Sequence, residues 1–504
     1  MEKFIRAAIF LFLILFLTNL IATPFWRITH DSVFIHYMTF LIDKFNFIPY
    51  KEIYDTSMPG TFLFHLTIGK LFGYTESSLQ FFNFLFMIIF FIFNWFYLKG
   101  QEIWSRIIGS IYFLIIYQSF GLEMSLQRDV IACFFIMGSI VSMKSNLSKN
   151  IKNFVSGLSI GVTAMIKPQM AIGLPIIFLI GQNYHFSKKS IHLKNLIYYL
   201  LGFSMFISIS FFWIYQKNAL NDFWKMQIDY IPQYLQLNSN HQYIHSPVTR
   251  FINNIKKFFY LIPYWRMAFY CLFFGTFLNL KYDHKNKNFW MTNLFLAIFY
   301  ALTLVITGQY FPYHFMGFFL FAFFPITAFF NSQISKKYIQ FSFITVVALF
   351  INNLGQFPIE TIKWIKGEKP HISYQGRVDR LITVLEKIIT RDDTIQVFDW
   401  VEGAAVHALL NLKLPHHSRF ITDHIFKHHL HLPSKNILNN QFLLEMQKDK
   451  PTIIIKSLNH NYPSGDFTTK DLPISFLDFI NLNYDKAHVD EDFIIYRLKG
   501  YKNE

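Results

Sequence analysis

The sequence has few charged residues and almost no cysteine. Of its 504 residues, only 15% are Asp, Glu, Lys or Arg, whereas soluble domains carry about 25%. The two cysteines, Cys133 and Cys271, both lie in apolar runs, so neither a disulfide framework nor a cysteine-based metal site is indicated. The sequence also lacks a P-loop, G-x-S-x-G, H-E-x-x-H or dinucleotide-binding motif in a fitting context. These absences argue against the soluble enzyme classes that such motifs mark.

Apolar residues, by contrast, are abundant. Hydrophobic residues make up 53% of the chain, aromatic residues make up 20%, and 63 positions are Phe. They come in runs of about 20 residues, the length of helix that crosses a bilayer. The composition therefore predicts a polytopic α-helical membrane protein. The first run follows Lys3 and Arg6 and has no A-x-A-like cleavage site after it, which indicates a retained helix rather than a signal peptide.

The apolar runs predict about 11 membrane spans. A break at Lys167 and Pro168 separates the fifth from the sixth, because proline removes a helical hydrogen bond and disfavours helix in the residue before it. The approximate bounds are Phe4–Ala22, Leu79–Leu98, Ile107–Phe120, Val130–Met143, Phe154–Ile166, Ala171–Ile180, Asn195–Tyr215, Met267–Leu280, Phe289–Ile306, Phe315–Phe330 and Ile339–Leu354.

The formal charge of +15 comes mainly from Lys and Arg in the short links between apolar runs. Such Lys- and Arg-rich links are typical of cytoplasmic loops. The positive net charge is therefore explained by the orientation of the spans in the membrane, and no nucleic-acid partner is predicted. The N-terminus is then cytoplasmic, and an odd number of spans places the C-terminal part outside.

The domain organisation follows from a change in composition near residue 355. Residues 1–355 are predicted to form the transmembrane core, with residues 23–77 as its first extracytoplasmic loop. Residues 356–504 alternate strand-like and helical runs, a pattern that predicts a small α/β or α+β domain on the extracytoplasmic side.

Three acids in the first loop are candidates for chemistry. Asp31 follows His30 just past the first span. A carboxylate near the low-dielectric interface suits a general base, because partial desolvation makes it a better proton acceptor; a solvated acid at a helix end is an equally good interpretation. Glu52 and Asp55 lie in a loop between Pro49 and Pro59, where they could bind a sugar hydroxyl or a metal, or equally form turns and helix caps.

Three basic residues, Arg128, Lys167 and Arg266, fall at or near the outer ends of predicted spans. Because they lie against the positive-inside trend, each is expected to have a partner. A lipid phosphate is a natural partner, since Arg binds phosphate through two hydrogen bonds and Lys acts as a point charge. Snorkelling toward ordinary lipid headgroups is the alternative.

Two aromatic residues complete the candidate set. Tyr313 and His314 lie in a short outer loop, GQYFPYHF, and could stack on and hydrogen-bond a sugar. An aromatic belt at the membrane interface gives the same pattern. A His-rich stretch that begins at His416 has no standard zinc spacing.

The first loop carries a recognisable pattern: an acid soon after the first helix, then G/N-x-x-P-Y-x-x-I-x-D-x-x-x-P-G-x-[YF] and a closing F-G. The matching residues are Asp31, Asn46–Tyr50, Ile53, Asp55, Pro59, Gly60, Phe62 and Leu71–Gly73. This arrangement resembles the bacterial membrane glycosyltransferases of the GT-C superfold, family 39, in the branch of protein O-mannosyltransferases and aminoarabinose transferases. The resemblance extends to the break after Lys167, the P-Y-H loop and the C-terminal domain.

The resemblance implies transfer of a sugar from a polyprenyl-phosphate donor to a glycan, lipid or protein acceptor on the outer face of a bacterial inner membrane. It implies that Asp31 is the catalytic base, that Glu52 and Asp55 help to shape the site, and that Arg128, Lys167 and Arg266 hold the carrier phosphate.

Two departures from the family pattern bear on metal binding. Many relatives have D-x-K-P-P-G, whereas residues 55–60 of this chain are DTSMPG, so Ser57 stands at the position of the lysine and any role of that lysine is absent or moved. The acid that often follows the first-loop Asp is Ser32 here. A two-carboxylate metal site on that pair is therefore disfavoured, and no cofactor is expected.

Two other functions remain open from the sequence. A transporter or flippase for a lipid-linked sugar would use similar cations without a base, although paired repeats and broken helices typical of transporters are not evident. A non-catalytic membrane assembly protein would use its outer domain to bind a partner.

Overall fold

The computed structural model describes residues 2–181, 193–236, 246–261, 265–308, 310–331, 334, 338–354, 359–368, 376–390, 392–399, 404–423, 426, 432–458 and 472–501. Its internal contacts divide the chain into two compact units. Unit 1 comprises Met1–Trp26, Gln80–Ser210 and Phe251–Pro370. Unit 2 comprises Arg27–Leu79, Phe211–Arg250 and His371–Glu504.

Helices dominate the described residues. The first seventeen are α1 (Glu2–Ala22), α2 (Asp31–Lys44), α3 (Pro59–Phe72), α4 (Glu76–Tyr97), α5 (Ile103–Ser119), α6 (Arg128–Lys144), α7 (Lys149–Ile166), α8 (Leu174–Gly181), α9 (Leu193–Gln216), α10 (Leu220–Lys225), α11 (Ile231–Tyr234), α12 (Pro247–Leu261), α13 (Arg266–Tyr270), α14 (Thr276–Tyr282), α15 (Lys287–Thr307), α16 (Met316–Phe323) and α17 (Thr327–Phe330). They are followed by α18 (Ile339–Leu354), α19 (Ile359–Ile365), α20 (Arg377–Ile388), α21 (Ala405–Leu412), α22 (Lys435–Lys448) and α23 (Ile474–Asn483).

The predicted spans fall on helical backbone, and the protein is a multi-pass membrane protein. Among the described residues, five helical segments are long and apolar enough to cross a bilayer: Lys3–Phe25, Glu76–Tyr97, Leu193–Gln216, His284–Thr307 and Pro312–Phe330. A sixth results if Val248–Leu261 and Arg266–Tyr282 form one bent span. The predicted polytopic helical fold is confirmed, whereas the total number of spans and the side of each terminus stay predictions.

Unit 1 contains a helix pair whose backbones nearly touch. A Cβ atom added to Gly157 of α7 would lie 1.9 Å from the carbonyl oxygen of Tyr199, and one added to Gly202 of α9 would lie 2.0 Å from that of Phe154. Small residues allow membrane helices to approach this closely, because van der Waals contact replaces the hydrophobic driving force that lipid does not supply. The glycines therefore set the packing of α7 on α9.

Unit 2 contains the two helices of the first loop, α2 and α3, which are joined by residues 45–58 without regular helix. The Pro59-Gly60 pair begins α3, as expected from the fixed φ of proline, which suits the first turn of a helix. Between residues 220 and 234, α10 and α11 are joined by a π-helical segment, Met226–Tyr230. The domain boundary predicted near residue 355 is not tested and stays a prediction.

The strands of unit 2 form one mixed sheet in the order β1-β2-β4-β3. They are β1 (Ile395–Phe398), β2 (Ile453–Ser457), β3 (Tyr484–Val489) and β4 (Phe493–Leu498). The first two are parallel, and β4 pairs antiparallel with both β2 and β3. A helix- and strand-containing C-terminal region was predicted, and the predicted strands in TIQVFDW, PTIIIKSL and DEDFIIYRLKG coincide with β1, β2 and β4.

A buried acid lies at the end of β1. Asp399 accepts N–H groups from Ala405 (2.6 Å) and Val406 (3.3 Å) and the hydroxyl of Ser457 (3.0 Å). Burial and the neighbouring charge of Asp423 outweigh these hydrogen bonds and raise the pKa of Asp399 to about 7. The folded protein therefore holds this proton more tightly than the unfolded chain does.

Substitution Asp399→Asn tests this linkage. In the wild type this residue contributes most stability below its ordinary pKa of 3.8, and that contribution is lost as the pH rises to about 7. Relative to wild type, we expect the variant to gain stability across this window, by at most about 1.4 kcal/mol per pH unit. Thermal unfolding of the detergent-solubilised chain at several pH values measures it. The exposed residue Asp478 gives the matched control, Asp478→Asn, which should track the wild type; a parallel shift of Asp399→Asn at all pH values would contradict the linkage.

Candidate functional site

The main cluster of predicted residues lies in unit 1 around Lys167. This residue follows the end of α7 and precedes a short 3₁₀ segment, Pro168–Gly173, with φ of −145° and ψ of 89°. The extended conformation is the one that a following proline favours. The other two members, Asp129 and His314, lie in the first turn of α6 and in the 3₁₀ segment Pro312–Phe315 before α16. Each side chain thus comes from a point where regular helix begins or ends.

The three side chains form one buried group. The Lys167 Nζ donates to Asp129 Oδ2 at 2.8 Å. The Nδ1 atom of His314 lies 3.4 Å from Asp129 Oδ1 and 3.4 Å from Lys167 Nζ. The exposed fractions of the three side chains are 9% or less. This geometry explains why a lysine can lie at an apolar helix end, because a buried ammonium requires a paired and hydrogen-bonded partner.

Arg128 adds a second cation to the group. It is half-buried at the first residue of α6, and its charge is close enough to act on the His314 ring. The group therefore combines the carboxylate of Asp129 with two cationic side chains, Lys167 and Arg128. Lysine and arginine side chains are the ones that bind an anion such as phosphate.

Of the other predicted residues, Tyr313 contacts the group around Lys167, whereas Arg266 does not. The Tyr313 ring lies edge-on to His314, with centroids 4.4 Å apart, and stacks on Phe311 at 5.7 Å. Arg266 is exposed at the start of α13, and its side chain makes no hydrogen bond or ion pair with another residue that the structure describes. The structure therefore brings together Arg128, Lys167, Tyr313 and His314 from the predicted set.

Asp129 was missed by the sequence analysis. Two signals for it were present: it follows Arg128 directly at the start of a predicted span, and a lysine at a span end needs a counter-charge. Nothing in the sequence indicates that Asp129 and Lys167 meet, because their pairing depends on the way α6 packs against α7.

Asp31 lies in unit 2, as the first residue of α2. Its Oδ1 is 3.3 Å from Nδ1 of His30, and its side chain is 19% exposed. His30 has φ of 61° and ψ of −152°, a conformation costly for a residue other than glycine and found most often at functional sites. Asp31 therefore remains accessible, next to a strained residue.

Glu52 and Asp55 bond to the backbone of their own loop. Glu52 Oε2 accepts the N–H of Ile48 at 2.7 Å, and Asp55 Oδ1 accepts the N–H of Ser57 at 2.7 Å. The Glu52 bond closes the loop on itself, and the Asp55 bond forms an Asx turn. Such bonds favour a role in holding the loop's shape, one of the two interpretations that the sequence left open.

A second ionic network, partly buried, lies in unit 2 and was not predicted. Arg27 donates to Glu76, with one bond of 2.8 Å, and also to Asp379 at 3.1 and 3.2 Å. His407 and Asn411 each reach Glu76 Oε1 at 2.8 Å. Burial lowers the pKa of Arg27, but the hydrogen bonds and charges of Glu76 and Asp379 outweigh it and raise the pKa well above its usual value. This network joins three parts of unit 2 that are distant in sequence.

The described residues do not contain a preformed set of metal ligands. Among the residues that the structure describes, no group of three or more His, Cys, Asp or Glu side chains is arranged to hold a metal ion. His416 is buried, and its Nδ1 lies 2.7 Å from the carbonyl oxygen of Ser418, so its bonds are structural. Residues 424–425 and 427–431 of the His-rich stretch lie outside the described residues. Metal independence stays a prediction.

The pairing of Lys167 with Asp129 predicts strong energetic coupling. Substitution Asp129→Asn leaves a buried ammonium without its carboxylate, which we expect to cost roughly 3–5 kcal/mol of unfolding free energy. Combining it with Lys167→Met should restore most of this loss, because neither charge then remains. A double-mutant cycle on the thermal unfolding of detergent-solubilised protein measures the coupling. Additive effects of the two substitutions would refute it.

Comparison with known proteins identifies the fold. No protein-family model and no curated protein matches the sequence. Among solved structures, the chain is similar to ArnT from Cupriavidus metallidurans bound to undecaprenyl phosphate: the TM-score is 0.60 at 8% identity, and the alignment covers 96% of this chain and 97% of that one.

A second solved structure is the archaeal oligosaccharyltransferase AglB from Archaeoglobus fulgidus, in complex with an inhibitory peptide and a dolichol-phosphate. It aligns at a TM-score of 0.47 and 9% identity over 92% of this chain and 72% of that one, an overlap too loose to support an argument. The ArnT alignment runs nearly the length of both chains, and it shows that this chain shares the fold of that structure.

Proposed function

We propose that this protein is a GT-C glycosyltransferase of a bacterial inner membrane, moving a sugar from a polyprenyl-phosphate donor to an acceptor on the extracytoplasmic face. The observation that carries the proposal is the buried group around Lys167. There, Lys167 bonds to Asp129 and lies 3.4 Å from His314, and the charge of Arg128 acts on the same His314 ring, at the ends of helices in a membrane protein. This is a suitable place to hold the phosphate of a lipid whose prenyl chain stays in the bilayer.

The transfer reaction needs a cation to stabilise the leaving phosphate and a base to accept the proton of the acceptor hydroxyl. The acceptor hydroxyl oxygen attacks the anomeric carbon of the sugar, and the bond from that carbon to the donor phosphate oxygen breaks. Polyprenyl phosphate leaves with the electron pair, and Lys167 and Arg128 stabilise its charge. Asp31 takes the proton of the acceptor hydroxyl as general base.

The assignment of Asp31 as the base rests on its exposure and position. Its side chain is 19% exposed, so a hydroxyl can reach it without unfolding α2. The strained backbone of His30 immediately before it supports a functional rather than a purely structural role. Glu52 and Asp55 would then act indirectly, by holding the loop between α2 and α3.

The fold supports the same donor class. ArnT, with which this chain shares its fold over nearly the whole length, is described with undecaprenyl phosphate bound. A carrier lipid of the same type is therefore the first donor to test. Tyr313 packs on His314, where it would contact the sugar next to the phosphate, and the acceptor would be a glycan, a lipid or a protein.

Substitution Asp31→Asn is the direct test of the reaction. We expect membranes with the wild-type chain to release or transfer sugar from one member of a panel of radiolabelled polyprenyl-phosphate sugars. The variant should lose about 10²–10⁴-fold in turnover, the usual contribution of a general base. The matched control is Asp478→Asn, which alters an exposed acid on α23 and should keep full turnover. Bound donor without any turnover in the wild type would favour a transporter instead.

Chelation tests metal independence separately. Because Ser32 occupies the position of a second acid, we expect turnover to survive dialysis against EDTA with less than a twofold change. The same preparation, assayed before and after dialysis, serves as its own control. Complete loss of turnover after dialysis, restored by adding a divalent cation, would contradict metal independence.

A further inference from the structure

Unit 2 contains a cavity of about 420 Å³ that the proposed reaction does not use. Its volume falls within the range of small-molecule sites, roughly 300–1,000 Å³. The lining comes from three parts of unit 2: the loop around residues 50–54, the helical segment 222–233, and Arg419 together with residues 433–441. Three stretches that are distant in sequence therefore build one concave surface.

The first wall is one face of the helical segment 220–234. Asp222, Lys225, Asp229 and Gln233 line the cavity and recur every three or four residues, as neighbours on one face of a helix do. The segment passes through π-helix over Met226–Tyr230, a local irregularity often found at functional sites. Charged and amide side chains thus point to one side of this segment.

The second wall is the start of α22. Ser434, Ile437 and Gln441 line the cavity with the same helical spacing. The backbone N–H of Ser434 donates to Gln233 Oε1 at 3.0 Å, a bond that ties the second wall to the first. The Ser434 hydroxyl is buried and has no hydrogen-bond partner within the described part of the chain. Such a group is expected to bond to water or to a ligand.

Aromatic rings and an arginine close one end. The Tyr54 and Tyr230 rings meet at 79°, with centroids 5.6 Å apart. The backbone N–H of Tyr54 donates to the carbonyl oxygen of Arg419 at 2.8 Å, and the Arg419 guanidinium donates to Gln441 at 2.9 Å. The Tyr54 hydroxyl makes no hydrogen bond with any residue that the structure describes.

The balance of charge identifies the class of ligand. The lining contains two acids, Asp222 and Asp229, and two bases, Lys225 and Arg419. Because Arg419 Nε also lies 2.9 Å from Glu445 Oε1, the lining has no net positive charge. A phosphate or an acidic peptide would require net positive charge, and a metal ion would require clustered acids. Hydrogen-bond donors and acceptors beside aromatic rings suit a sugar, whose hydroxyl groups both donate and accept and whose C–H faces pack on rings.

We propose that this cavity binds an uncharged glycosyl unit of the acceptor and so holds the acceptor for the transfer reaction. The proposal rests on the proposed function, because it assigns the acceptor a glycan portion. The site adds binding energy at a part of the acceptor remote from the reacting hydroxyl. Substrate-positioning contacts of this kind lower the entropic cost of bringing two reactants together.

Full-length protein in phosphatidylethanolamine–phosphatidylglycerol nanodiscs tests the site. The probes are uncharged trisaccharides of hexose and of N-acetylhexosamine units, with binding followed by saturation-transfer NMR. We expect at least one trisaccharide to bind saturably. Ile437→Trp, which fills the cavity mouth from a residue that is 60% exposed, should weaken this binding at least 10-fold. Asp229→Asn should weaken it as well, by removing a hydrogen-bond acceptor.

Two matched variants serve as controls. Leu444→Trp adds the same bulk on α22, at a residue that is 64% exposed and outside the lining, and Asp478→Asn removes an acid elsewhere in unit 2. Both should bind the trisaccharide as the wild type does. Absence of binding to every trisaccharide, or equal binding by Ile437→Trp and wild type, would overturn the proposal. Displacement of the bound trisaccharide by inorganic phosphate would also overturn it, because the lining would then be an anion site.

Donor turnover in the same nanodiscs separates this inference from the proposed function. Turnover of a polyprenyl-phosphate sugar without trisaccharide binding would reject the cavity and leave the transferase intact. Trisaccharide binding without turnover of any donor would reject the transferase and leave a glycan-binding site without its proposed role as an acceptor subsite. In a working enzyme, Ile437→Trp should raise the KM for acceptor at least 10-fold while kcat changes less than twofold.

Discussion

The low dielectric constant around membrane helices is the constraint that most shapes this protein. A charge in such surroundings must be paired, hydrogen-bonded or moved to the surface. Lys167 follows this rule. Its ammonium nitrogen lies 2.8 Å from an Asp129 oxygen and 3.4 Å from the His314 Nδ1 atom, and His314 Nδ1 lies 3.4 Å from the other Asp129 oxygen. Positions where α6, α7 and α16 begin or end are the places that permit such a group. The chemistry of the site and the stability of the helix bundle therefore depend on the same three side chains.

Much of the fold could be predicted from the sequence, for clear physical reasons. Apolar runs of bilayer length and breaks at proline are local features, and each predicted span falls on helical backbone. The strands β1, β2 and β4 were also predicted, since they are short apolar or alternating runs. In contrast, β3 is polar, and its residues Asp485 and Lys486 are exposed. Its sequence has no apolar strand pattern, and the strand forms because it pairs with β4.

The candidate site was predictable only in part. The cations Arg128 and Lys167 were identifiable because they lie against the topological trend in charge, and Tyr313 and His314 because they lie in a short loop. Their mutual contacts, and the role of Asp129, depend on packing between helices that are far apart in sequence. The network of Arg27 with Glu76 and Asp379 was missed for the same reason. Arg266, which has the same sequence signal as Lys167, remains exposed, so that signal alone does not separate a site residue from a surface one.

The glycine contacts between α7 and α9 have a consequence for how unit 1 can change shape. Because the two backbones meet without side chains between them, neither helix can rotate or slide without first separating from the other. The next point along the chain where the backbone can bend is Pro168, where a helical hydrogen bond is already missing. A hinge at this position would act directly beside Lys167, so that a bend in the bundle would also move the Lys167 side chain.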